Sequence, residues 1–86
     1  MAEEKEIGYV IDYFSRVGVA AIKITNDSIK IGDTLHFKGN TTDFEQLVES
    51  MQIDRVDVNE AGVGKDVGIK VNEKVRKKDK VYKVEK

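Results

Sequence analysis

The sequence predicts a small all-β domain built from antiparallel strands. Three observations predict it: short apolar segments that alternate with period two, a supply of β-branched residues, and turn-forming residues every ten or so positions. Eighty-six residues make one domain. A chain of this size hides about 60–65% of the surface its unfolded form exposes, enough for one modest core. Little volume is left for a deep catalytic cleft, which favours a binding module over an enzyme.

The elements follow in order. Residues 1–6 (MAEEKE) read as a flexible acidic tail, and 7–86 as the domain. IGYVIDYF (7–14) is β-branched and aromatic, hence a strand. SRVG breaks it, and VAAIKI (19–24) follows with Ala20, Ile22 and Ile24 on one face. Asn26-Asp27-Ser28 is a turn, because Asn and Asp bond back to their own backbone and tolerate left-handed angles. Ile29 and Ile31 lead to a Gly32-Asp33 turn. Thr34, His36 and Lys38 then alternate with Leu35 and Phe37. Later, Val67, Ile69 and Val71 alternate with Gly68 and Lys70, residues 72–79 form a polar connection, and KVYKVE (80–85) closes the sheet.

One stretch, TTDFEQLVESMQIDRVDV (41–58), is ambiguous. Phe44, Leu47, Val48 and Met51 fall at i, i+3, i+4 and i+7, a helical stripe, and Thr42 with Glu45 forms a capping box. From Met51 the pattern is instead alternating. The strand reading is adopted, with a bulge near Ser50-Met51 that lets Val48 and Met51 share a face.

Composition excludes several chemistries. The absence of cysteine removes disulfides, thiolate nucleophiles and cysteine zinc sites. The single histidine, His36, rules out an imidazole cluster for a metal, and it is expected to point to solvent. No metal or cofactor is therefore expected. Ser15, Ser28 and Ser50 have no basic partner identifiable from spacing, so no catalytic residue is assigned. The N-terminus lacks a long apolar run, which implies a soluble cytoplasmic protein without membrane contact. Charge is uneven: between Lys70 and Lys86 eight basic residues outnumber three acidic ones, a local +5 against −6 for the rest of the chain. Such a basic end can meet nucleic acid or simply be a solvated edge strand.

Gly18-Val19-Ala20 and Ile29-Lys30-Ile31-Gly32-Asp33 resemble the β-barrel modules that form the second domain of elongation factor Tu and its relatives. Val48, Ser50, Met51, Ile53, Val58, Ala61, Gly64, Val67, Gly68 and Ile69 resemble the last barrel of initiation factor two-type translational GTPases. The resemblance implies a translation elongation factor-like protein, a closed six-stranded antiparallel Greek-key β-barrel without the GTPase domain. No G-x-x-x-x-G-K-[ST] phosphate loop is present, so nucleotide binding is not expected. Gly32, Asp33 and Gly64 occupy sharp turns, and Gly68, inside a strand, implies close backbone approach or a tight bend. Where the resemblance expects a glycine before Asp79, this chain has Lys78.

The main reading is a non-enzymatic module docking on tRNA, rRNA, the ribosome or a ribosome-associated protein through its basic end. Arg16, Arg55, Lys74, Arg76, Lys77 and Lys78 are the candidate phosphate or partner contacts. Tyr82, with Tyr9 and Tyr13, offers a stacking surface. The alternative is an accessory or protein-interaction subunit of an enzyme, similar to the C-terminal barrels of collagenase-like U32 peptidases.

Overall fold

The structure, a computed structural model, describes residues 3–85. Those residues form ten strands and no helix: β1 (Glu3–Phe14), β2 (Val19–Ile24), β3 (Ile29–Lys30), β4 (Thr34–Lys38), β5 (Asp43–Leu47), β6 (Met51–Ile53), β7 (Val56–Asp57), β8 (Glu60–Ala61), β9 (Asp66–Lys70) and β10 (Lys80–Glu85). Eight of them make one antiparallel sheet in the order β5-β4-β10-β1-β2-β9-β6-β7, and β3 pairs with β8 separately. The expected all-β class stands. The expected closed six-stranded barrel does not, because the main sheet has eight strands and its two ends are not joined by a ladder.

The sheet is nevertheless rolled. β5 and β6 lie six positions apart, about 29 Å on a flat sheet at ~4.8 Å per strand. Only residues 48–50 connect them, a span of at most about 14 Å between Leu47 and Met51. The two regions must therefore approach each other across the core. Val48, the first residue of that link, still continues the β4–β5 pairing: its N–H donates to Asp33 O at 2.8 Å, and its carbonyl accepts from Gly32 N at 2.9 Å. Gln46 bridges the gap to the other end. Its Nε2 donates to Lys70 O at 2.8 Å and its Oε1 accepts from Asn72 N at 2.7 Å, tying β5 to the end of β9.

This geometry resolves the 41–58 ambiguity. Phe44, Gln46 and Val48 alternate inward, while Leu47, which a helix would have buried, is 53% exposed. Period two wins because Phe44 stacks on Phe37 of β4, with ring centroids 5.1 Å apart. The expected bulge near Ser50-Met51 is instead the crossover itself. Glu49 and Ser50 are exposed, and alternation restarts at Met51 in a strand with new partners, β7 and β9.

The predicted core faces are otherwise in place. Ile22, Ile24, Leu35, Phe37, Val67 and Ile69 are fully buried around the axis of the roll. Glu3–Glu6, expected to lie in a tail, are the first third of β1 and pair with Tyr82–Glu85. Each of the next three side chains also finds a partner: Glu4 meets His36, Lys5 lies 3.6 Å from Asp27, and Glu6 lies 3.4 Å from Lys80. Residues 1 and 2 of that tail lie outside the described residues.

Gly32 (φ 96°) and Gly64 (φ 89°) hold the left-handed turns expected of them. Gly68 does not mark a close approach, since a methyl group there would make only an ordinary contact with Val19. The tight position is Gly8, where a Cβ would collide with the backbone carbonyl of Lys23. Nothing in the sequence pattern singles that glycine out.

Replacing Gln46 with Ala should cost about 2 kcal/mol, because two backbone groups at the end of β9, Lys70 O and Asn72 N, lose their partners. Urea unfolding measures this. Leu47→Ala, on the exposed face of the same strand, should change stability by less than about 0.5 kcal/mol. Equal effects from the two substitutions would contradict the bridging role of Gln46.

Candidate functional site

Two polar constellations stand out, and the first is a cationic recess. The turn that follows β4 and the connection that precedes β10 face each other across a hollow of about 310 Å³. It is lined by Lys38, Gly39, Asn40, Arg76, Lys77, Lys78, Asp79 and Lys80. Five of these residues are basic.

Local chemistry shapes the recess. Val75, the apolar residue inside the otherwise polar connection, is fully buried and anchors the chain just before Arg76. The next four residues form a tight turn in which Asp79 N donates to Arg76 O at 3.1 Å. Lys78 adopts φ 75°, a left-handed conformation that glycine enters more easily, at the position where the translation-factor resemblance expects one. Holding a lysine there costs on the order of 1 kcal/mol. It is offset by Lys78 N donating to Val10 O at 2.7 Å and by Val10 N donating back to Asp79 O at 2.8 Å. The Asp79 carboxylate turns inward and accepts from Arg76 N at 2.9 Å. Gly39 makes room for it, since a Cβ at that position would collide with the carboxylate. Lys80 is held by Glu6, 3.4 Å away.

Arg76, Lys77 and Lys78 are thus brought together, joined by Lys38 and Lys80, which the sequence reading did not select. Lys74 lies in the same connection but does not line the hollow. Arg16 sits in the β1–β2 turn. Arg55 sits in the two-residue β6–β7 turn at φ 67°, beside Asp54 at φ 51°. Both are turn residues away from the recess. Tyr82 is also elsewhere: it lies on β10 beside His36, with ring centroids 6.1 Å apart. Register could have revealed Lys38, because it is paired directly with Lys80 across β4 and β10.

The second constellation is centred on His36. It faces outward, as alternation predicted, but it is not free in solvent: its side chain is only 12% exposed. Nδ1 lies 2.7 Å from Glu4 Oε1 and Nε2 lies 2.5 Å from Asp43 Oδ1. Glu45 is its direct neighbour across the β4–β5 pair. Burial pushes the imidazole pKa down, but the hydrogen bonds to Asp43 and Glu4 and their negative charge push it up by more. The net direction is upward. Asp43 moves the other way, its pKa lowered chiefly by the hydrogen bond from His36. With each ring nitrogen at hydrogen-bond distance from a carboxylate, this histidine is a cross-strand latch rather than a general base.

No family model matches the chain. Over 78 residues, 90% of its length, the chain is 46% identical to an uncharacterised protease of Methanocaldococcus jannaschii. Over 81 residues, 93% of its length, it is 40% identical to a collagenase of Porphyromonas gingivalis. The chain spans about a fifth of the length of these relatives, 19% and 22% respectively. Among solved structures it is similar to the C-terminal domain of a Geobacillus thermoleovorans protein assigned to the U32 peptidases. The TM-score is 0.85 with 21% identity, covering 92% of this chain and 91% of that one. A selenomethionine variant of the same domain gives a TM-score of 0.84 and 20% identity, covering 90% of this chain and 96% of that one. At that level the likeness shows the fold alone.

These findings overturn the translation-factor reading and its ribosomal link, because the sequence relatives are a protease and a collagenase, and the similar solved structures are C-terminal domains of a U32 peptidase. Turn glycines and alternating apolar residues are needs of any rolled antiparallel sheet, so they carried the fold and not the family. Among the described residues no helix is long and apolar enough to cross a membrane.

The raised His36 pKa has a testable sign. The unfolded imidazole titrates near 6.5. Stabilisation by the latch is therefore fully present below pH 6.5 and is lost as pH rises through the higher folded value. Asp43 contributes above 3.8 and loses its share as pH falls through its lowered value. The stability gap between wild type and His36→Gln should be widest between these limits and shrink on the alkaline side. Denaturant midpoints taken from about pH 5.5 to about pH 8.5 will show it, and a constant gap would contradict the assignment.

Proposed function

We propose that this chain is an accessory, non-catalytic domain of the U32 peptidase type, which docks through its cationic recess on an acidic surface of the catalytic part. The carrying observation is 46% identity over nine tenths of the chain to a protease five times as long. A unit that accounts for a fifth of several proteases, and that has the fold of an isolated C-terminal domain, reads as a module attached to a separate catalytic body. Physical features of the chain agree with this. Its histidine is engaged on both nitrogens, and five basic residues gather at one preformed recess.

The recess suits docking better than chemistry. Five cations around one hollow repel one another, and a surface bearing carboxylates relieves that repulsion on contact. Val75 and Asp79 hold the connection in place beforehand, which lowers the ordering cost of association. Arg76, Lys77 and Lys78 are the residues assigned to this contact, while Arg16, Arg55, Lys74 and Tyr82 are left outside it.

The test is binding between the chain and a U32-type catalytic domain from the same host, prepared without its own C-terminal domain. A salt-sensitive complex is expected, weakened at least about 10-fold when Lys77 and Lys78 are both changed to Glu. The charge change leaves Asp79 and Val75 intact, so folding should be preserved. A complex insensitive to these changes would move the interface elsewhere. Absence of any complex at low salt would overturn the accessory reading.

A further inference from the structure

We propose that Glu4, His36 and Glu45 form a binding site for a divalent ion of the zinc class on the outer face of the sheet. Sequence spacing hides the site, because the three residues lie on β1, β4 and β5 and a lone histidine gives no ligand motif. Sheet order assembles them. β1, β10, β4 and β5 are consecutive neighbours, and Glu6, Tyr82, His36 and Glu45 form one row across them. Glu4 reaches into the same patch from two residues along β1.

One donor atom from each of the three residues lies within 4.8 Å of the other two. Ligands at ~2.0–2.1 Å from a tetrahedral zinc ion stand about 3.3 Å apart. The Glu4–His36 contact of 2.7 Å therefore has to open by roughly half an ångström, and the other two spacings have to close by at most about 1.5 Å. Glu4 and Glu45 are exposed and free to adjust their rotamers, while the imidazole is held in place. The ion would lie where the Nδ1–Glu4 hydrogen bond now runs, with a water completing the coordination.

Two further features fit this donor set. Metal-bound histidines commonly donate their other ring nitrogen to a carboxylate, which fixes ring orientation and basicity. Nε2 of His36 already makes that bond, to Asp43. Charge is the second feature: three carboxylates converge on one imidazole, and Lys38 is the cation that bears on Asp43. An imidazole together with two carboxylates selects zinc-like ions over calcium or magnesium, which prefer all-oxygen sites. Glu45, not hydrogen-bonded to the ring, is the telling ligand, because the latch does not need it.

The experiment is Zn²⁺ titration of the 86-residue chain by calorimetry, with Co²⁺ absorption and His36 ring NMR signals as spectroscopic reports. Saturable one-to-one binding that shifts the His36 signals is expected. Asp43→Asn should weaken it at least about 10-fold, as loss of an outer-sphere carboxylate does. Glu45→Gln should weaken it comparably while leaving the metal-free unfolding midpoint unchanged, and His36→Gln should abolish it. No saturable binding up to millimolar Zn²⁺ would overturn the proposal. So would binding that Glu45→Gln leaves intact, since the ion would then be held without the third ligand.

Discussion

The three-residue crossover between β5 and β6 is the constraint from which the rest of the architecture follows. Two strands six places apart in the sheet are joined by a link that spans less than half their flat separation. The sheet can satisfy this only by rolling, and rolling creates the interior that Phe37, Ile22, Ile69 and Leu35 fill. Right-handed strand twist makes the roll available, but twist alone does not decide where it stops. Gln46 decides that, through side-chain hydrogen bonds to Lys70 O and Asn72 N that hold the two ends without forming a continuous ladder. The open seam explains how one chain carries both a barrel-like core and free sheet edges.

Rolling also sorts the polar residues. Every side chain on the convex face is pushed outward, so cross-strand rows of charge become the molecule's chemistry. On one such surface His36 collects carboxylates from β1 and β5. At the end of β4 and β10 the opposite occurs, and Lys38, Lys80 and the 76–78 turn accumulate positive charge. The two regions are only a few residues apart along β4, yet opposite in sign. Lys83 shows a structural use of the same principle. Its ammonium lies 3.5 Å from both Asp27 and Asp33, joining the turns on either side of β3. The Asp27 pKa is lowered mainly by the Ser28 N–H and then by Lys83, in keeping with a carboxylate that stabilises its own turn.

Much of this was legible in the sequence, and what was not has a physical reason. Alternation identified the faces of β2, β4 and β9, since one buried side demands period two. Asn26-Asp27-Ser28 was legible as a turn tolerant of left-handed angles, and Asp27 adopts φ 62°. The extension of β1 through Glu3–Glu6 was not legible, because its strand character comes from pairing with β10 and from ion pairs to distant residues. Likewise the recess was half seen. Arg76, Lys77 and Lys78 are contiguous and visible as a charge run, whereas Lys38 joins them only through the register of β4 against β10. The His36 cluster was invisible for the same reason in stronger form, being assembled from three strands.

The error of family follows from what a fold-level signal contains. Gly18, Gly32 and Gly64 all have φ between 67° and 96°, and any sequence folding into this roll needs residues tolerant of such angles at these turns. Apolar alternation is equally generic. A resemblance assembled from turn glycines and apolar positions therefore tests the backbone path, and many unrelated functions share one path. Discrimination has to come from residues the backbone does not require. Lys78 is one, since its left-handed position would be easier for glycine and yet a lysine occupies it at the rim of the cationic recess. Glu45 is another: it is exposed, needed neither by the core nor by the latch, and placed opposite the only histidine. Residues of that kind, held against or without structural need, are where this fold's function is most sharply written.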